Sequence, residues 1–397
     1  MKKVPLNQIA TFNPSAPVLS GAEELAFVPM AAVSEQGQMA VSETLVASDL
    51  KSGYNYMQSG DVLVAKITPC YENNKIAVAD FQQRHGFGST EFHVIRVRGD
   101  RLNNRFLLHY LRQDRVRAEG ARRMTGSAGQ RRVPRSFLEE LKIPLPPLVE
   151  QRRIAAILDQ ADDLRRLRRE AWDTLQRFVT SSFYDIFGDP VVNPRRWPVI
   201  RLGVAGQLDR GVSKRRPRND PALLGGPYPL VQTGDIANCD GHIGEYRSTY
   251  SELGLNQSRL WPAGTLCITI AANIGKVGVL QFDACFPDSV VGFKPKKEFE
   301  VDFVREWFKF LQPILERDAP QSAQKNINLA ILRDLEIIAP PAGLQRAFAA
   351  RVAEIDKLKG AHRAHLEKLN ALFASLQNSA FRGGLGGIQE KVAEAIA

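Results

Sequence analysis

The sequence predicts an α/β protein: two mixed α/β bodies joined by two long antiparallel, coiled-coil-like helices, arranged as a pseudo-twofold internal repeat. Three observations lead there. A segment in the middle of the chain recurs near its end at constant spacing. Each copy opens on paired prolines and continues as a long apolar stripe of helical period. The stretches ahead of the copies carry short β-branched runs interleaved with helix-like segments.

The repeat comes first because it sets the organisation. LKIPLPPLVEQRRIAAILDQ from Leu141 returns as LEIIAPPAGLQRAFAARVAE from Leu335. Leu141, Ile143, Pro146, Pro147, Gln151, Arg152 and Ala156 meet Leu335, Ile337, Pro340, Pro341, Gln345, Arg346 and Ala350, always 194 positions apart. The register extends back to Gln130, Arg131 and Val133 against Gln324, Lys325 and Ile327. It extends forward to Leu164, Leu175 and Phe187 against Leu358, Leu369 and Phe381. The bodies agree more loosely, as in Gly60-Asp-Val-Leu-Val beside Gly264-Thr-Leu-Cys-Ile and Asn74-Lys-Ile-Ala-Val beside Gly275-Lys-Val-Gly-Val. The chain therefore reads as a first body (1–143), a central helical connector (144–188), a second body (189–337), a C-terminal helical connector (338–382) and a flexible tail (383–397).

In the first body DVLVAKI, KIAVADF and FHVIRVR have strand character, and FLLHYLRQDRVRAEGARRM that of a helix. In the second, GTLCITI and KVGVLQF are the strands and VDFVREWFKFLQPIL the helix. Paired prolines are a natural helix start. Behind them apolar residues recur in steps of three and four: Ile154, Ile157, Leu164, Leu175 and Phe178 in the first connector, and Val352, Ile355, Leu366, Leu369 and Phe373 in the second. That is a narrow seam, with Leu158, Leu167 and Val179 off it. Each stripe covers about 40 residues, or ~60 Å at 1.5 Å per residue. Two such seams are buried most simply against one another, and the chain order makes the pairing antiparallel.

Of 397 residues, 44% are hydrophobic and 24% charged, which places the chain among globular proteins. The formal charge of +10 favours an anionic partner. No stretch reaches the ~20 apolar residues of a membrane-spanning helix, and the start lacks a signal-peptide core, so the expected location is the cytoplasm with no membrane partner. The four cysteines form no C-x-x-C pair, and Cys267 reads as a small core residue. No metal site, glycine-rich cofactor loop, N-P-P-[YF]-type loop or catalytic triad stands out. Asp61 with Lys66 reads as a strand start and a surface lysine in preference to a nuclease pair. The expectation is a chain without catalytic residues, bound metal or cofactor of its own.

Arg101–Arg135 holds ten arginines. Arg112, Arg115, Arg122 and Arg123 are candidates to track a phosphate backbone, the other reading being a solvated helix face. Lys214, Arg215, Arg216 and Arg218 form a second basic loop, either phosphate-binding or solubilising. Ser127, Gln130, Arg131 and Arg132 match Gln321, Ser322, Gln324, Lys325 and Asn326 through the repeat. Each set offers small residues, amides and cations, the side chains that pair with adenine and guanine edges; a capping turn is the alternative.

Two divergent bodies, two similar P-P…Q-R connectors and the S-A-[GQ]-Q-[RK] loops ahead of them resemble the specificity subunit of type I restriction-modification enzymes, over about residues 1–382. The resemblance implies two target-recognition domains, each reading one half of a split site in double-stranded DNA. It implies two methyltransferase subunits gripping the helices, with restriction subunits joining them. S-adenosylmethionine, ATP and Mg would then belong to those partners. A free-standing DNA-binding regulator and a nuclease with an unrecognised site are the rival readings.

Overall fold

The structure, a computed structural model, describes residues 2–40, 43–127, 129–271, 273–318 and 327–382. The chain divides into two compact units. One holds the described residues up to Glu170 together with those from His362 to Arg382; the other is the stretch Ala171–Ala361.

In the first unit the main sheet runs Ala10–Phe12, Phe92–Val97, Val62–Ala65, Ile76–Val78, with antiparallel neighbours. All four residues of Val62–Ala65 are buried. Successive side chains of a strand point to opposite faces. Val62 and Val64 accordingly enter the large core with Ile95, Phe106 and Leu107, while Leu63 and Ala65 enter a second core with Val28, Met57 and Phe92. A strand buried on both faces has no polar alternation, hence the unbroken apolar run in the sequence. A second sheet, in the order Glu43–Val46, Glu24–Val28, Gly86–Gly88, Asn55–Met57, has Glu24–Val28 parallel to Gly86–Gly88.

The second unit repeats this plan and adds one strand to the main sheet. Its main sheet is Gly206–Arg210, Val290–Pro295, Leu266–Thr269, Val277–Leu280, extended by His242–Ile243. Leu266 and Ile268 face one core and Cys267 the other. Its second sheet runs Ser248–Tyr250, Leu224–Leu230, Ala284–Cys285, Leu260–Trp261, and again the two middle strands are parallel. In each unit a short antiparallel pair, Lys3–Pro5 with Lys142–Pro144 and Val199–Arg201 with Glu336–Ile338, ties the start of the body to the segment leading into its long helix. The single helix expected over 106–124 is two, Asn104–Leu111 and Asp114–Arg122, separated at Arg112–Gln113. Its counterpart, Val301–Asp318, is continuous.

Leu148–Phe187 and Ala342–Arg382 are unbroken helices. The repeated glutamine fastens the start of each to its body. Gln151 is fully buried: its Oε1 accepts from Asn103 N at 2.8 Å, and its Nε2 donates to Arg101 O and Pro146 O, both at 2.9 Å. Gln345 makes the same three bonds, to Glu300 N at 3.1 Å, Glu298 O at 3.3 Å and Pro340 O at 2.8 Å. Buried backbone groups need partners, and one amide side chain serves three of them.

Each unit contains a segment of both helices, running antiparallel. In the first unit Arg165 donates to Asn370 at 2.7 Å and lies 4.3 Å from the Phe373 ring. Phe381 packs on Phe106 and Tyr110, with Leu376 and Ala380 in the same core. In the second unit Lys359, at the position equivalent to Arg165, lies over Trp172, and Phe183 stacks on Phe303 and meets Phe348 edge-on. The equivalent acids Asp162 and Asp356 pair with these cations. The seam residues Ile154, Val352, Ile355 and Leu369 are buried, and Ile157, Leu164, Leu175, Leu366 and Phe373 are half-buried. Phe178 is a correction: it is 56% exposed, whereas Leu158 and Val179, expected off the seam, are core residues. The α-helical period of 3.6 drifts from a strict 3.5-residue seam, so along this helix the buried stripe passes to Val179, Phe183 and Phe187.

Candidate nucleic-acid interface

The loop between Thr125 and Arg132 is closed by a reciprocal pair of backbone bonds, Thr125 N to Arg132 O at 3.0 Å and Arg132 N to Thr125 O at 2.8 Å. It is docked on the main sheet's extension through Thr68 N to Arg131 O and Val133 N to Lys66 O. Gly126 and Gly129 both have positive φ, and a Cβ on Gly126 would come within 2.9 Å of Gln130 O. Glycine is what allows the turn to close. Ser127, Gln130 and Arg131 are exposed at its rim.

Arg132 points back onto the body. Its guanidinium grips the Glu91 carboxylate from Nη2 at 2.8 Å and Nε at 3.0 Å, and its Nη1 donates to Gln130 O. The Arg132 hydrogen bonds hold the Glu91 carboxyl below its usual range. Arg131 lies 3.9 Å from Glu72. The residues expected in the equivalent loop, Gln321, Ser322, Gln324, Lys325 and Asn326, lie outside the described residues.

Among the other basic candidates, Arg115 is exposed and caps the Tyr110 ring, while Arg122 and Arg123 are exposed and share Glu119. Arg112 is a second correction. It sits in the gap between the two short helices and turns inward, to Asp162 of the first long helix at 3.4 Å and to Glu35 O at 3.1 Å. Burial pushes its pKa down to about 10. It therefore packs the body and is not offered to a phosphate. Beside it His109 Nε2 meets Asp159 at 2.7 Å. Burial lowers the histidine; it would raise Asp159, but hydrogen bonds from His109 and Arg105 outweigh it and keep the carboxyl ionised.

In the second unit Lys214 and Arg215 are exposed. Arg216 and Arg218 both reach Asp288, and Arg210 donates to the Asp288 carbonyl at 3.0 Å. Gly211 lets the loop press onto the turn beneath, where a Cβ would lie 2.4 Å from the carbonyls of Phe286 and Pro287. Sequence reasoning singled out neither Glu91 nor Asp288. An acid far along the chain from its arginine carries no local signal, although both precede a recognisable strand. Asp61, set aside as a strand start, is buried and held by Arg96 through two bonds of 2.8 and 2.7 Å.

Among curated proteins, the chain is 37% identical over 180 residues to the type I restriction enzyme EcoAI specificity subunit of Escherichia coli, covering 44% of this chain and 31% of that one. It is 36% identical over 182 residues to the EcoEI specificity subunit of the same organism, with 44% and 31% covered. The matches thus span about a third of the length of these relatives. Among solved structures, the type I restriction-modification system S subunit from M. genitalium aligns with a TM-score of 0.59 over 96% of both chains at 14% identity, a likeness of fold. The sequence model described as the type I restriction modification DNA specificity domain matches twice, over residues 2–175 and 194–371. Those two matches take in both bodies and most of both long helices, and with them the chain belongs to the type I restriction modification DNA specificity family.

Proposed function

We propose that the chain is the DNA-recognition subunit of a type I restriction-modification enzyme, each unit reading one half of a bipartite duplex target. The observation that carries this is the duplication: one two-sheet plan built twice, with a polar, arginine-bearing loop on each copy and the same glutamine geometry where each long helix begins. A single fold repeated with different loops suits two different short sequences. Lys214, Arg215 and Arg115 supply sequence-independent phosphate contacts, and Ser127, Gln130 and Arg131 the base-edge contacts of the first unit.

The two long helices dock two methyltransferase subunits and set the gap between the half-sites. Exposed apolar residues on them, including Val149, Leu167, Phe178 and Leu358, suit a protein partner. S-adenosylmethionine, ATP and Mg are bound by the methylating and restriction subunits, in the cytoplasm, and this chain itself neither methylates nor cuts. The test is selection of binding sites from a random duplex pool by the chain assembled with its methylating subunits. Two short fixed sequences flanking an unread gap are expected. A single contiguous site, or labelled methyl transfer by the purified chain alone, would overturn the reading.

A further inference from the structure

Both units hold a recognition-loop arginine on an acid at the same corner of the fold. In each main sheet the second strand, Phe92–Val97 or Val290–Pro295, is entered through a tight turn closed by one backbone bond, Phe92 N to Ser89 O at 3.2 Å and Val290 N to Pro287 O at 3.0 Å. Glu91 stands in the first turn and Asp288 in the second. The loops they hold differ in origin. Arg132 comes from the segment following the short helices of its unit, whereas Arg216 and Arg218 come from the loop after Gly206–Arg210 in theirs. Two unrelated loops converge on the equivalent acidic corner of their units, which local packing alone does not require, because all three ion pairs are substantially solvent-exposed.

We infer that Glu91 and Asp288 are selectivity residues: each carboxylate competes with DNA phosphate for the arginines of its loop, and so weakens binding to sequences that offer only a phosphate backbone. This rests on the DNA-reading function proposed above. The physical argument is one of substitution. An exposed arginine facing duplex DNA condenses onto phosphate and releases a counterion, whatever the sequence. An arginine already chelated by a carboxylate gains little by that exchange. It also holds its loop in place, Arg132 through Gln130 O and Arg216 through Ser213 O. The carboxylate therefore lowers the affinity for random DNA while leaving the loop shaped for base edges.

The experiment measures binding of the full chain to a random-sequence duplex across a salt series, for the parent, Asp288→Asn and Glu91→Gln. Each freed arginine adds about 0.9 to the log–log salt slope. Asp288→Asn, freeing two, should steepen it by about 1.8, so that between about 50 and about 200 mM salt its affinity falls roughly twelve-fold further than the parent's. Glu91→Gln should add about 0.9, a further loss of roughly three- to four-fold. Asp288→Glu and Glu91→Asp, which keep the charge, should stay near the parent. So should Glu245→Gln, which removes an exposed acid elsewhere in the second unit. Unchanged slopes in Asp288→Asn and Glu91→Gln, or equal steepening in Glu245→Gln, would overturn the inference and leave the DNA-reading function standing. Failure of the parent chain to bind any duplex would instead remove that function, and this inference with it.

Discussion

Replacing Gln345 by Leu tests how each body holds its long helix. The side chain is 1% exposed and is the partner of one backbone N–H, on Glu300, and two carbonyls, on Glu298 and Pro340. Leucine fits the volume but strands all three groups. An orphaned buried polar group costs about 1–3 kcal/mol. The carbonyls keep a second lone pair and lose less than the N–H, so a total near 3 kcal/mol is expected. The assay is urea unfolding followed by tryptophan fluorescence. All four tryptophans, Trp172, Trp197, Trp261 and Trp307, belong to the second unit, so the signal reports on that unit alone. Gln345→Leu should move the fluorescence midpoint. Gln151→Leu, the same lesion in the first unit, should move only the far-ultraviolet circular dichroism transition. Gln345→Glu adds a pH signature. A carboxyl facing two carbonyl oxygens in a buried site titrates above the unfolded value of about 4.3. Relative to the parent, that variant should hold its stability below about pH 4 and lose it progressively as the pH rises toward 8. An unshifted fluorescence midpoint in Gln345→Leu would refute the three-bond account. An equal fluorescence shift in Gln151→Leu would show that the lesion is not confined to the first unit.

Two further outcomes follow from the recognition role. Gln130→Ala and Gln324→Ala should each weaken one half-site, and a different one, by about 1–3 kcal/mol; substituting bases in one half-site at a time checks this, and effects of both on the same half would contradict it. A matched four-residue helical insertion near Arg168 and near His362 should lengthen the preferred gap while leaving both half-site sequences as they were, since one turn adds ~6 Å to a helix; recovery of an unchanged gap from a random pool would rule out the helices as the ruler.

The sequence displayed the framework more clearly than the surfaces. Gln151 and Gln345 stood out because three backbone groups around each leave no other residue suitable, so the repeat survived there. The apolar runs at Val62–Ala65 and Leu266–Thr269 were legible for the same reason, being buried on both faces. The second sheet of each unit was not read. Its strands are two to seven residues long and interrupted by glycine and proline, as in Leu224–Leu230, and too short for a period to show. Phe178 was misplaced because a seam read at 3.5 residues per turn slips round a helix that keeps 3.6. The misassignment of Arg112 has a different cause. Its basic neighbours suggested a phosphate-facing stripe, and the acid that draws it inward, Asp162, lies on another element fifty positions away. Glu91 and Asp288 were missed likewise, because the meaning of an arginine-rich loop depends on what stands opposite it.

The division of the chain has a consequence for how it is made. The second unit is one uninterrupted stretch, Ala171–Ala361, and every residue it needs has been synthesised once Ala361 is added. The first unit, though encoded first, must wait. The core around Phe106, Tyr110, Ile154 and Leu158 is closed by Leu376, Ala380 and Phe381, which are made after the whole of the second unit. On the ribosome the order of completion is thus the reverse of the order of translation. Until the second unit has been made, the apolar face that Leu376, Ala380 and Phe381 cover in the first has no partner from its own chain.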